Sequence, residues 1–156
     1  MTSVAPLDVL VDSSVVLKWE LAGEAHAAEA DELLEDWRHG VIRVSTSDQL
    51  PVELASALLG ACRKPPVRLL EAAALQTLGD LLALPLVYRP TQHQVLLRRA
   101  FAIALNHNQR VYDCVYVALA EAQGLEFWAG DRRLYNALSS SFPFIRWIGG
   151  YVRRRP

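Results

Sequence analysis

Short apolar runs that stop on an acid or a turn alternate with helix-length segments along this chain. That alternation limits the possible folds more than any other feature. LDVLVD (residues 7–12) is apolar and β-branched up to Asp12. VIRVST (41–46), PLVYRP (85–90), LEFWAG (125–130) and FIRWI (144–148) are runs of the same kind. Runs this short and this apolar read as strands buried in a sheet. Strands separated by helices pair in parallel, so the expected architecture is an α/β layer fold with a mostly parallel sheet. A helix-rich middle, residues 48–84, makes the alternation imperfect.

The helix signals lie between these runs. Ser13 and Ser14 are placed to cap a helix starting near Val15. EAHAAEADELLEDWRHG (24–40) is amphipathic and stops at Gly40. SDQLPVELASALLGACRK (47–64) has Ser47 or Asp48 near its cap and Pro51 in its first turn, and Pro65-Pro66 end it. VRLLEAAALQTLGDLLAL (67–84) reads as a further helix. Thr91 is placed to cap the segment HQVLLRRAFAIALNH, and Asn106 to Arg110 read as a polar connection. VYDCVYVALA (111–120) is apolar or aromatic except at Asp113, which marks a helix buried on most sides; it stops at Gly124. RRLYNAL follows Asp131 as the last helix.

At 156 residues the chain has material for one domain, taken as 1–150, with a short basic tail at 151–156. A hydrophobic content of 52% with 21% charge excludes a disordered chain. No apolar run reaches the roughly 18 residues that a membrane span needs. MTSVAPLDVLVD lacks the basic region of a secretory leader, so a cytosolic, membrane-free protein is expected. Cys62 and Cys114 form no CxxC pair and read as reduced, buried thiols. His26, His39, His93 and His107 show no zinc spacing. A net charge of −1 excludes a global basic field, so any nucleic-acid contact must be local. The local candidates are Arg98-Arg99, Arg132-Arg133 and the tail arginines Arg153, Arg154 and Arg155.

Four acids sit in apolar windows: Asp12 and Asp131 at strand ends, Asp113 at a helix start, and Glu53 early in PVELASALLGA. Sites in parallel α/β sheets lie outside the carboxyl ends of the strands. Asp31, Glu32, Glu35 and Asp36 differ, lying on the polar stripe of their helix, where solvation is expected; Asp80 and Glu121 also read as surface. Taken singly, Asp12, Asp113 and Asp131 also suit helix caps, and Glu53 suits a helix first turn. Gathered in one cleft, carboxylates repel and raise each other's pKa unless a cation joins them. Oxygen ligands select magnesium or manganese, and the matching chemistry is metal-assisted phosphodiester hydrolysis.

VLVDSSVVLKW, PVELASAL, VYDCVYVALAEAQG and FWAGDRRLYNAL resemble, in order and spacing, the PIN-domain nucleases, and more narrowly the VapC-type toxins of toxin–antitoxin pairs. The resemblance covers nearly the whole chain. It implies a PIN-like α/β/α sandwich, an acidic cluster binding Mg²⁺ or Mn²⁺, and endoribonuclease activity. It assigns Asp12 and Asp113 as central metal ligands, with Glu53 and Asp131 completing the cluster directly or through waters. Ser14 matches a small polar position near the first acid, suited to hydrogen-bond a ligand. Arg132 and Arg133, next to Asp131, are candidate RNA phosphate contacts. An antitoxin that blocks the cleft, an RNA substrate and a toxin homodimer are the implied partners, and the apolar helix 67–84 is a hint of where an antitoxin helix docks.

The family often carries Thr or Ser two residues before its last acid, where this chain has Ala129. That departure keeps open a second reading, a degenerate PIN domain that binds RNA or protein without cutting. A third, a receiver or a haloacid-dehalogenase-like phosphatase, lacks its expected residues: the phosphatase expects a second Asp where Ser14 stands. Trp19 and Trp128 are expected to pack in the core rather than stack on bases.

Overall fold

The structure, a computed structural model, describes residues 5–154. Arg155 of the basic tail and the first residues of the N-terminal segment lie outside the described residues. In chain order the elements are β1 (Leu7–Val11), α1 (Ser13–Val16), a 3₁₀ turn (Leu17–Trp19), α2 (Ala27–Arg38), β2 (Ile42–Ser47), α3 (Leu50–Arg63) and α4 (Glu71–Leu82). Then follow β3 (Val87–Arg89), α5 (Gln94–His107), α6 (Val111–Gln123), β4 (Glu126–Ala129), α7 (Arg132–Leu138), β5 (Ile145–Trp147) and a closing 3₁₀ turn (Ile148–Gly150).

The five strands form one sheet in the order β3-β2-β1-β4-β5, and every pairing is parallel. The chain builds outward from β1 through β2 to β3, then crosses to the other side of β1 for β4 and β5. Strand order therefore reverses between β1 and β4, where a parallel sheet opens a crevice at its carboxyl edge.

Side-chain alternation explains the layers. Val9 and Val11 face one core with Ile42, Val44, Leu33, Leu54 and Leu81. Leu10 faces the other with Phe127, Ala129 and the body of α6. Both faces of β1 are thus covered, which is the expected α/β/α sandwich. The apolar run in α6 has a plain cause: residues Cys114 to Ala120 are all buried. Trp128 is buried, and Trp19 stacks on Trp37 at 5.9 Å between ring centroids, so both pack as expected.

Several local expectations are overturned. Asp12, not Ser13 or Ser14, caps α1. His93 caps α5 through Nδ1, which accepts from Leu96 N, whereas Thr91 is buried and its hydroxyl donates to Asp48 Oδ1 at 2.5 Å. The helix expected from 67 starts only at Glu71, because Arg68 is tied away to Glu24 and to the carbonyl of Ala22. Helix α5 ends at His107, as the segment HQVLLRRAFAIALNH implied, so the polar connection begins after His107 rather than at Asn106, and Asn108 turns the chain with a φ of 51°. Cys62 is only half-buried.

Asp36 is the largest correction. It is 1% exposed rather than solvated. Tyr151 Oη donates to its Oδ2 at 2.7 Å and the Arg154 backbone N–H at 2.8 Å. Segment 151–154 folds back over α2 and covers a carboxylate that the helix pattern alone leaves in water. Asp80 and Glu121 are exposed, as read from the sequence.

Candidate active site

Asp12, Glu53, Asp113 and Asp131 come from four separate segments and line one cavity of about 530 Å³. Ser13, Ser14, Gln49, Val52, Arg110 and Tyr112 line it too. The cavity lies at the carboxyl edge of the sheet, beside the β1–β4 reversal. Each acid reaches it for a local reason.

Asp12 ends β1, and its Oδ1 accepts from the backbone N–H groups of Ser14 (3.1 Å) and Val15 (3.4 Å) as the cap of α1. The Ser14 hydroxyl also donates to this oxygen. Ser14 Oγ in turn accepts from the Gly130 N–H at 2.8 Å. With that lone pair committed, the one hydroxyl proton of Ser14 is left for Asp12. Ser14 thereby links the end of β4 to the end of β1. Gly130 is obligatory in this link, because a Cβ there would meet the Ser14 carbonyl oxygen and Lys18 Cε at 2.8 Å.

Glu53 stands in the first turn of α3, half-buried, and Tyr116 Oη on α6 donates to its Oε1. Gln49 Nε2 donates to the Tyr112 carbonyl at 2.8 Å, which fastens the start of α3 to the start of α6. Asp113 sits in the first turn of α6 without capping it, since Arg110 holds the cap position. Its Oδ2 accepts from Arg110 Nε at 3.1 Å. Asp131 caps α7, with Oδ1 accepting from Arg133 N (2.9 Å) and Leu134 N (3.3 Å).

The electrostatics follow from this packing. Burial pushes the Asp12 carboxyl up to about 6, against the pull of Ser14, and the Asp113 charge adds to the rise. Burial pushes Glu53 up to about 7, with the charges of Asp12 and Asp113 adding and the Tyr116 hydroxyl opposing. Two carboxyls with such proton affinity, facing two more acids, make a site that a cation would stabilise.

Among the described residues, no three His, Cys, Asp or Glu side chains converge tightly enough to grip one ion by themselves. The reason is visible in the bonds above: each carboxylate is turned toward its own local donor. The donor chemistry nonetheless suits a hard divalent ion. All four groups offer oxygen, and in Asp12, Asp113 and Asp131 the hydrogen bonds go to a single carboxylate oxygen. Magnesium keeps several waters, so it fits a pocket whose acids stand apart.

Other candidates fall elsewhere. Arg132 and Arg133 are exposed and do not line the cavity; the Arg132 guanidinium lies 3.8 Å over the Trp147 ring. Arg99 pairs with Glu121, and Arg154 with Glu126. Ala129 is fully buried in the core beneath the cavity and does not line it. Sequence reading missed Tyr116, Gln49 and Arg110. Arg110 carried a usable signal, since it stands three residues before Asp113 and so shares its helix face.

Comparison with known proteins fits this geometry. The PIN domain family matches residues 9–137. No curated protein matches the chain significantly. Among solved structures, PAE2754 from Pyrobaculum aerophilum is similar with a TM-score of 0.62 at 22% identity, over 84% of this chain and 79% of its own. VapC20 from Mycobacterium tuberculosis, a toxin that cleaves the sarcin-ricin loop, is similar with a TM-score of 0.58 at 20% identity, over 95% of this chain and 99% of its own. A toxin–antitoxin complex from Klebsiella pneumoniae contains a chain with a TM-score of 0.51 at 18% identity, over 83% and 92%. At these identities the likenesses describe the fold.

Proposed function

The chain belongs to the PIN domain family, and from that premise we propose that it is a metal-dependent endoribonuclease acting as the toxin of a toxin–antitoxin pair. The observation that carries the reading is the meeting of Asp12, Glu53, Asp113 and Asp131 in one cavity at the carboxyl edge of the sheet.

In this reading Asp12 and Asp113 hold a Mg²⁺ or Mn²⁺ ion, and Glu53 and Asp131 complete its surroundings directly or through waters. A bound divalent ion supplies positive charge for the phosphodiester and a water of lowered pKa. The chain's own groups do the rest. Ser14, fixed by Gly130, keeps Asp12 in one orientation. Tyr116 holds one oxygen of Glu53, leaving the other to accept the proton of the attacking water. No side chain is needed as a nucleophile.

The similar solved structures support the toxin assignment: one is a toxin that cleaves the sarcin-ricin loop and another sits in a toxin–antitoxin complex. For the antitoxin we propose the apolar groove between α3 and α4, lined by Ala55, Leu58, Leu59, Leu75 and Leu78, which suits an amphipathic helix. A homodimer and a cytosolic location belong to the same reading. None of the described helices is long and apolar enough to cross a membrane.

The test is cleavage of end-labelled total RNA by purified, antitoxin-free protein in Mg²⁺, in Mn²⁺ and with chelator, beside Asp113→Asn. Discrete fragments that require metal and vanish in the variant are expected. Folded protein that cuts no RNA pool under any metal would instead favour a domain that binds RNA or protein without cleavage.

A further inference from the structure

Arg110 is the only lysine or arginine lining the acidic cavity among the described residues. Its side chain is 69% exposed, while that of its partner Asp113 is 16% exposed. The contact uses Nε alone, at 3.1 Å from Asp113 Oδ2. The two terminal guanidinium nitrogens make no protein hydrogen bond among the described residues. The backbone of Arg110 precedes α6 in extended conformation (φ −76°, ψ 141°), so its side chain is rooted in a rigid helix start.

This arrangement raises a chemical question. RNA is a polyanion, and it must bring a phosphate into a cavity walled by four acids. Beyond the charge a divalent ion would supply, a basic side chain beside the acids would favour its entry, and Arg132 is engaged on Trp147 outside the cavity. A guanidinium holds phosphate through paired terminal N–H groups, and these are the donors that Arg110 leaves free. An exposed ion pair such as Arg110–Asp113 is weak and easily exchanged.

We propose that Arg110 is the phosphate-contacting residue of this site and an internal counter-ion for Asp113 while the acids have no metal. When Asp113 serves as a metal ligand, the Arg110 guanidinium is released and turns its terminal nitrogens to the phosphate of the bound RNA. The inference rests on the nuclease reading above. It assigns a contact to a residue that neither the sequence motifs nor the arginine pairs indicated.

The proposal makes two opposite demands on one substitution. Arg110→Gln removes a competitor for Asp113, so Mn²⁺ affinity measured by calorimetry without RNA should rise about two- to fivefold. The same variant loses a charged contact to substrate, so KM for RNA should rise about tenfold with kcat little changed. The salt dependence of log KM should fall by about 0.7 in slope, one phosphate contact on single-stranded RNA. Arg110→Lys should restore part of the KM, and thermal unfolding should show both variants folded. A KM unchanged in Arg110→Gln would overturn the proposal. Weakening of Mn²⁺ and RNA together would also overturn it, because Arg110 would then be a brace for the site. If the wild-type protein cuts no RNA, the nuclease reading fails first, and the calorimetry still reports on the counter-ion role.

Discussion

Tyr116 Oη donates to Glu53 Oε1 at 2.5 Å, joining α6 to α3 beneath the acidic cavity. The phenol is 1% exposed and stacks on Phe127 at 5.7 Å between centroids. Burial and the neighbouring Glu53 charge raise its pKa well above the ordinary value, so it stays a donor. Tyr116→Phe removes that donor from a half-buried carboxylate. The expected loss is about 1–2 kcal/mol of stability at pH 8, read from the urea midpoint of metal-free protein. An unchanged midpoint would mean that the bond carries no net free energy.

Asp12 is held at a cost. Its carboxyl is 5% exposed and raised to about 6, so its charge opposes folding at neutral pH. Asp12→Asn keeps the cap acceptor and removes the charge. Metal-free Asp12→Asn should be more stable than wild type by about 1–2 kcal/mol at pH 8, with Mn²⁺ affinity at least about tenfold lower. A destabilised variant would show that the ionised carboxylate is a net support.

The same shifts set a pH dependence. Asp12 and Glu53 bind protons more tightly in the folded chain than in the unfolded one. Their contribution to stability is therefore fully present at low pH and is lost as pH rises through about 6 and 7. The carboxylates pulled downward, Glu29, Glu35 and Glu121, act at and below their ordinary range and leave this window alone. Metal-free protein should melt higher at pH 5.5 than at pH 8. Added Mg²⁺ should raise the Tm more at pH 8, where both acids are ionised. A metal-free Tm that climbs between these pH values would contradict the assignment.

Gly130→Ala places a methyl against the Ser14 backbone, which cannot yield as a flexible side chain would. About 2 kcal/mol of stability should be lost, together with RNA cleavage, because the Ser14 bridge to Asp12 is displaced. Equilibrium denaturation and a cleavage assay on the same preparation check both.

Asp36→Ala strips Tyr151 Oη and the Arg154 N–H of their acceptor. The expected loss is about 2–4 kcal/mol, with Mn²⁺ affinity unchanged because the residue lies outside the cavity. A change in metal affinity would connect the tail to the site.

Much of the architecture could be read from local pattern. The strand at LDVLVD and the buried helix at VYDCVYVALA are legible because burial on both sides leaves almost no polar residue. The four acids stood out against those apolar windows for the same reason. What escaped was set by partners distant in sequence. Asp36 looks solvated on its helix until Tyr151 returns to cover it. Thr91 looks like a cap until Asp48 takes its hydroxyl. Tyr116 reads as one more apolar residue in α6, because nothing local shows that Glu53 waits on another helix. Arg110 offered only its spacing of three from Asp113 as a signal, because it lies in a polar connection where arginine is ordinary.

The strand order also dictates when this cavity can exist during synthesis. Asp12, Glu53 and Asp113 all precede Glu126–Ala129 in the chain, yet β4 must insert beside β1 before Gly130 can fasten Ser14 and Asp131 can join the cavity. A growing chain therefore carries three of its four acids without the frame that aligns them. The cavity stays incomplete until β4 pairs with β1 and Asp131 follows it, so its lining closes only when the chain is nearly finished.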